Sequence, residues 1–278
     1  MSAALSVLIP AHNEADYITR CLHALFASAP HMADVRVEVL VLANGCSDST
    51  AATARMAKCP KHWNLRVLER DQGSKPGALN QGDAAATGRI LVYLDADVVV
   101  EPDLLPQLFA ALDRATACYA TGTPVVARAQ SAITRSYASV WSQLPFVRSG
   151  APGFGLFAMS RPGRERWGPW PDIISDDTFA RLHFTPAERL RLPARYHWPM
   201  VEGFQNLVRV RRRQNRGVRE VADLFPALLE NDDGHRLTLS RVLALALRFP
   251  AGMLVYLAVA LAVKTPLFRT RENWARGR

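Results

Sequence analysis

The stretch RILVYLDADVVV, residues 89–100, decides the fold. Ile90, Leu91, Val92, Tyr93 and Leu94 form an unbroken apolar run of strand length, the pattern of a strand covered on both faces. It ends in two carboxylates, Asp95 and Asp97, with only Ala96 between them. Burying an unpaired carboxylate costs several kcal/mol. Two carboxylates one residue apart at a strand end can both meet a divalent cation, one directly and the other through ribose hydroxyls or water, and a cation shared with a diphosphate removes the charge penalty. A loop whose acid caps the helix after Pro102 accounts for the same three letters, so the surrounding chain must decide between the two.

Working outward, the chain alternates. LSVLIP (5–10), VRVEVLVLA (35–43) and LRVLE (65–69) are strand-like runs. Between them, EADYITRCLHALFAS (14–28) has helical spacing through Tyr17, Ile18, Leu22, Leu25 and Phe26. SDSTAATARMA (47–57) opens on a cap candidate, Ser47 or Asp48, and KPGALNQGDAAAT (75–87) reads as a helix stopped by Gly88. PDLLPQLFAALDRA (102–115) supplies another helix. Strands alternating with helices predict an α/β fold with a mostly parallel central sheet, whose ligands bind beyond the carboxyl ends of the strands. Past about residue 122 the pattern is irregular and Pro- and Gly-rich, as in GTPVV, SGAPGFG and RPGRERWGPWP, which suits acceptor or lid loops.

The strand-end loops read, in order, IPAHNE (9–14), LANGCSDST (42–50), GSKPGALNQG (73–82) and LDADVVVEP (94–102), with PDIISDDTF (171–179) far downstream. In motif order, spacing and strand context these resemble the family 2 glycosyltransferases, over roughly residues 5–215. The resemblance implies a GT-A fold, an inverting transfer from a nucleoside-diphosphate sugar, and Mg²⁺ or Mn²⁺ as cofactor. It implies a donor site made by Pro10, Ala11, Asn13, Glu14, Asn44, Lys75, Asp95 and Ala96, with Asp97, and Asp95 beside it, at the metal. It implies Asp177 as the base that deprotonates the acceptor, and acceptor or phosphate contacts from Gly155, Trp170, Asp176, Arg213 and Arg216.

Each residue also has a reading of its own. Lys75 suits a phosphate as a point charge, or is a solvated surface lysine. Asn44 stands where the family commonly carries an acid; its amide can still pair with a base edge. Asp48 and Thr50 read as caps, and His12 as a packing contact. Cys46 reads as a small filler. Asp176 is either an acceptor ligand or the cap of a helix through Phe179 and Leu182. Trp170 either stacks on a sugar or lipid, or anchors the core. The block RVRRRQNRGVR (209–219) offers Arg213 and Arg216 as diphosphate or lipid-headgroup clamps, but Gly217 stands where processive synthases carry Trp.

Composition sets the remaining bounds. The 278 residues carry a formal net charge of +9, which points to anionic partners, and are 49% hydrophobic, enough for a sizeable core. Nucleic acid is set aside, because no aromatic interleaving or known motif accompanies the arginines. Four cysteines without CxxC spacing read as free thiols in a reducing compartment. No basic n-region or cleavage site precedes LSVLIP, so the chemistry is expected at the cytoplasmic face. From Val242 to Val263 the chain is apolar except for Arg248. Pro250 interrupts this run, and Arg236, Arg241, Lys264, Arg269 and Arg271 flank it on both sides, a pattern that favours an interfacial anchor over a simple span. The expected organisation is a transferase domain over 1–217 and a membrane-associating helical region over 218–278, acting on an acceptor saccharide or lipid. A nucleotidyltransferase on a related scaffold, or a non-catalytic nucleotide-sugar or lipid-binding protein, are the alternatives.

Overall fold

The computed structural model describes residues 3–234, 237–266 and 268. Arg236, Arg269 and Arg271 lie outside them. The strands are β1 (Leu5–Ala11), β2 (Val37–Asn44), β3 (Asn64–Arg70), β4 (Ile90–Leu94), β5 (Val99–Val100), β6 (Tyr119–Val126), β7 (Leu156–Ser160) and β8 (Arg189–Trp198). The helices are α1 (Ala15–Phe26), α2 (Thr50–Arg55), α3 (Lys75–Ala85), α4 (Leu104–Leu112), α5 (Ala132–Trp141), α6 (Pro145–Arg148), α7 (Arg161–Arg164), α8 (Asp176–Leu182), α9 (Phe204–Leu224), α10 (Leu239–Arg248) and α11 (Pro250–Lys264). Two compact units result: Met1–Val125 with Gly153–Asp172 and His183–Trp198, and Val126–Pro152 with Ile173–Leu182 and Pro199–Arg278.

The first unit holds one sheet in the order β3-β2-β1-β4-β7-β6-β8-β5. β3, β2, β1 and β4 are parallel. β7 joins β4 antiparallel, β6 joins β7 antiparallel, and β5 pairs β8 antiparallel. The sheet is therefore mixed, with its parallel half where strands and helices alternate in the sequence. β1, β2 and β4 are buried almost throughout, as unbroken apolar runs require, whereas β3 alternates because it forms the edge. α1 buries Ile18, Cys21, Leu22, Leu25 and Phe26, a stripe of helical period, while Tyr17 stays exposed.

Gly88 is not the stop of α3, which already ends at Ala85. It stands where the chain enters β4 against β1: a Cβ there would lie 2.5 Å from Ser6 Oγ and 2.6 Å from Ser6 N. Its N–H donates to Ser6 Oγ (2.8 Å), which in turn donates to the buried Glu38 carboxylate (2.5 Å). Pro10 does not end β1 either; it remains in the strand opposite Leu42, and the strand finishes one residue later.

The second unit is built from α5, α6, α8, α9, α10 and α11. The region past residue 122, irregular in sequence, contains α5. Ser131 Oγ accepts the Thr134 N–H, and Glu202 accepts the Gln130 and Ser131 N–H groups, so the helix start is capped from both sides of Ser131. No helix among the described residues is long and apolar enough to cross a membrane.

Candidate active site

The carboxyl ends of the parallel strands in the first unit are tied to one another by a chain of hydrogen bonds. His12 Nδ1, after β1, lies 2.6 Å from the Asn44 carbonyl at the end of β2. Asn44 Oδ1 accepts the Ser74 N–H (2.9 Å), and Gly45 N–H donates to the Arg70 carbonyl (2.8 Å), which ties β2 to the end of β3 and the start of α3. Lys75, the first residue of α3, reaches Asp95 Oδ1 at the end of β4 (Nζ–Oδ1 3.3 Å). Asp95 N–H donates to the Gly155 carbonyl just before β7 (2.9 Å). The loops that carry the predicted donor residues therefore form one connected rim rather than independent hairpins.

The Asp95–Asp97 segment is a tight turn closed by Val98 N–H on the Asp95 carbonyl (3.1 Å). Ala96 is buried under it, while Asp95 and Asp97 are half-buried. Beneath the turn lies the Cys21 thiol, 3.8 Å from the Asp95 carbonyl. Burial raises its pKa far above the usual thiol range, and the negative charges of Asp95 and Glu14 add to the effect. Cys21 is therefore a neutral core group, and two predicted site carboxylates lie close enough to act on it together. Gly155, at φ +76°, has Trp198 over it: a Cβ would fall 2.6 Å from Trp198 Cδ1 and 3.0 Å from Val98 Cγ2. Only glycine lets the chain entering β7 meet the turn.

Several predicted donor residues hold the rim together. Asn13 takes a left-handed conformation (φ 52°), and its Oδ1 accepts the Ser47 N–H (2.6 Å) and the Asp48 N–H (3.3 Å). Asn44 uses its Oδ1 on Ser74 and is buried, so its carbonyl oxygen is committed to the loop rather than to a base edge. Asp48 bonds both Thr50 N–H (3.0 Å) and Ala15 N–H (3.2 Å), joining the starts of α2 and α1, and Glu14 N–H donates to Thr50 Oγ1 (2.7 Å). Cys46 fills space between Asn13 N and the Ala11 carbonyl, each 3.4 Å from its sulfur.

Trp170 is packed into the core of the first unit. It is 3% exposed, its indole N–H donates to Asp83 Oδ2 (2.7 Å), and its backbone is held at both ends by Asn80. Asp83 also accepts from Arg164 Nε (2.6 Å) and Tyr93 Oη (2.6 Å), so a buried ion pair and two aromatic rings lock together. The sequence reading passed over the end of β8. His197 pairs opposite Val99, two residues past Asp97, and its Nε2 lies 3.5 Å from Glu101 Oε1; Trp198 follows it. The only signal was the strand-like RLRLPARYHW, and nothing in it marks a partner so far upstream.

In the second unit, Asp176 and Asp177 occupy the first turn of α8, where the helix dipole favours ionised carboxylates. The Ser175 carbonyl accepts the Phe179 N–H (3.0 Å), so Ser175 holds the capping position considered for Asp176. Asp176 is buried and Asp177 half-buried, with Oδ1 accepting Thr178 N–H (2.7 Å). The segment before them is gripped by α9: Ile174 N–H donates to Glu220 Oε2 (2.9 Å), and Gly217 faces Ser175 and Ile174. A Cβ on Gly217 would lie 2.3 Å from Ser175 Oγ, so this packing leaves no room for the tryptophan of processive enzymes. Arg213 and Arg216 stand on the same stretch of α9.

No group of three or more His, Cys, Asp or Glu side chains among the described residues is arranged to hold a metal ion. Two carboxylates on one turn are nevertheless the oxygen-donor set that a hard cation takes when water and substrate phosphates complete its shell.

A parallel half-sheet with carboxylates at its strand ends, extended by antiparallel strands, defines a GT-A fold of the nucleotide-sugar enzymes. The mannosyltransferase PcManGT from Pyrobaculum calidifontis, solved with GDP-Man and Mn²⁺, superposes with a TM-score of 0.57 at 20% identity over 96% of this chain and 77% of its own. TarS 1–349 of S. aureus, in complex with UDP-GlcNAc, gives 0.54 at 15% identity over 96% and 77%. The family model described as glycosyl transferase family 2 matches residues 6–177, and the chain belongs to that family. Among curated relatives, glycosyltransferase AglE of Haloferax volcanii is 37% identical over 94 residues, 34% of this chain and 30% of its own length. An undecaprenyl-phosphate 4-deoxy-4-formamido-L-arabinose transferase of Sodalis glossinidius is 29% identical over 105 residues, 37% and 32% of the respective chains. The chain spans about a third of the length of the curated relatives it matches.

Proposed function

We propose that the chain is an inverting glycosyltransferase that moves a sugar from a nucleoside diphosphate to the hydroxyl of a lipid or lipid-linked saccharide at the cytoplasmic face of a membrane. The observation that carries the reading is the bonded rim converging on Asp95, with Asp97 on the same turn and Lys75 paired to it. Carboxylate oxygens and an ammonium on that rim are groups suited to a cation-bound sugar diphosphate. The lipid acceptor is supported by relatives named for undecaprenyl phosphate and dolichyl phosphate.

In this reading Asp97, with Asp95 beside it, holds Mg²⁺ or Mn²⁺, which when bound supplies positive charge against the leaving diphosphate. Lys75 exchanges its contact with Asp95 for a phosphate oxygen. The Gly155 turn supports the donor, and Pro10, Ala11, Glu14 and Ala96 line the nucleoside side. Asp177 takes the proton of the acceptor hydroxyl as that oxygen attacks the anomeric carbon. The bond from that carbon to the diphosphate oxygen breaks, and the nucleoside diphosphate leaves with inversion. Arg213 and Arg216 steady the phosphates of donor or acceptor. The transferase function is assigned to residues 1–217 and the membrane-facing role to 218–278.

The test follows nucleoside diphosphate release across a panel of nucleotide-sugars, with and without divalent cation. Cation-dependent release is expected for one donor, lost in Asp97→Asn and reduced about 10²- to 10⁴-fold in Asp177→Asn. Pyrophosphate as the product would assign nucleotidyl transfer instead.

A further inference from the structure

The formal charge of the chain is not spread evenly. Counted over the two units, the first carries 16 Lys and Arg against 16 Asp and Glu, and the second carries 18 against 9. The whole excess of +9 therefore belongs to the second unit. That unit also bears six leucines on α10 and α11, Leu239, Leu243, Leu247, Leu254, Leu257 and Leu261, each between 50% and 85% exposed.

These leucines are not waiting for a partner within their own helices. α11 is already seated by its opposite face. Gly252 abuts α5, where a Cβ would lie 2.4 Å from Ser139 Oγ and 2.6 Å from the Ser136 carbonyl. Tyr256 stacks on Tyr137 with ring centroids 5.4 Å apart. Arg212 donates to the Ala262 (3.0 Å) and Thr265 (2.8 Å) carbonyls, capping the helix end. What remains outward is Ala251, Leu254, Leu257, Ala258 and Leu261, a helical-period stripe with no charge before Lys264. On α10, Leu239, Leu243 and Leu247 recur every fourth residue, and the exposed Arg241 and Arg248 lie round the helix from them.

We propose that the leucine stripes of α10 and α11 insert into the interface of an anionic phospholipid bilayer, the leucines among the acyl chains and Arg241, Arg248 and Lys264 against lipid phosphates. Helices of 10 and 15 residues are too short to span, which needs about 20, but suffice to lie in the interface. The charge decides the occupant: an apolar face on the unit that holds all the excess positive charge matches an anionic surface, whereas a second copy would bring the same charge against itself. The inference deepens the lipid side of the proposed function and is independent of the donor chemistry.

Co-flotation of the full chain with vesicles tests it. Strong binding is expected to phosphatidylcholine vesicles containing phosphatidylglycerol, and weak binding to phosphatidylcholine alone. Leu254→Glu/Leu257→Glu/Leu261→Glu should abolish flotation, and Arg241→Gln/Arg248→Gln should weaken it roughly thirtyfold. Should the triple variant fail to fold, Leu257→Trp gives an independent reading: its added emission should be quenched by lipids brominated in the acyl chains. Flotation unchanged in the triple variant, no quenching of the new tryptophan, or a leucine-dependent dimer without vesicle binding would each overturn the proposal. Nucleotide-sugar binding is measured alongside; if it persists while flotation fails, the membrane inference falls and the transferase reading stands.

Discussion

Trp170→Phe keeps a six-membered aromatic ring but removes the pyrrole N–H that Asp83 accepts beside Arg164. The expected loss is about 1–2 kcal/mol in urea unfolding, with donor and acceptor KM unchanged; a raised acceptor KM would place Trp170 at the acceptor site. Glu188 is held by both arms of Arg166 and by the Thr185 N–H and hydroxyl, and Arg166 above all brings its pKa down from 4.5 to about 2. A carboxylate whose folded pKa lies below its unfolded value stabilises the fold above the unfolded value and loses that contribution as the pH falls through the folded one. Stability should therefore decline between about pH 4.5 and pH 2, and Glu188→Gln should flatten that part of the curve in pH-dependent thermal melts. At this scale the sequence named most rim residues but not their tasks. Asn44 looks like a base reader and Asn13 like a donor-site residue in one dimension, and only the folded loops reveal that Ser74 occupies the oxygen of the first and Ser47 and Asp48 that of the second.

At the scale of elements, the parallel half of the sheet was legible because buried parallel strands are written as apolar runs. β4 announces both its burial and its acidic end within twelve letters. The antiparallel half was not legible. β7 owes its place to pairing with β4, sixty-odd residues earlier, and β8 to pairing with the two-residue β5; no local period encodes either. The second acidic motif was found by its letters, yet what fixes it is the fit of α9 against Ile174 and Ser175. Gly217→Ala probes that fit. A methyl group 2.3 Å from Ser175 Oγ must push the segment ahead of Asp176 and Asp177. The expected result is a loss of about 1–3 kcal/mol in stability and a kcat lowered at least about tenfold, with the donor Kd by calorimetric titration unchanged. Restoring the aromatic residue, as Gly217→Trp, should be worse rather than better.

For the molecule as a whole, the segregation of charge and of predicted roles has a measurable consequence. The residues assigned to the nucleoside, the donor turn and the cation, from Pro10 to Asp97 together with Gly155, belong to the first unit, while Asp177 and the phosphate-side Arg213 and Arg216 belong to the second. A ligand stabilises whatever it binds by RT ln(1 + [L]/Kd), about 2.7 kcal/mol at a hundredfold excess over Kd. If the units unfold in separate transitions, two-state treatment fails for the chain but holds for each unit. Nucleoside diphosphate with Mn²⁺ should then raise one Tm by about 5 °C or more in differential scanning calorimetry and leave the other in place. Removing the cation with EDTA, or substituting Asp97→Asn, should erase the shift. Both transitions moving together would mean that Arg213 and Arg216 grip the same diphosphate, and Arg213→Gln/Arg216→Gln should then return the second transition to its unliganded temperature. A shift that survives both EDTA and Asp97→Asn would remove the cation from donor binding and leave Lys75, Arg213 and Arg216 as the charges assigned to the phosphates.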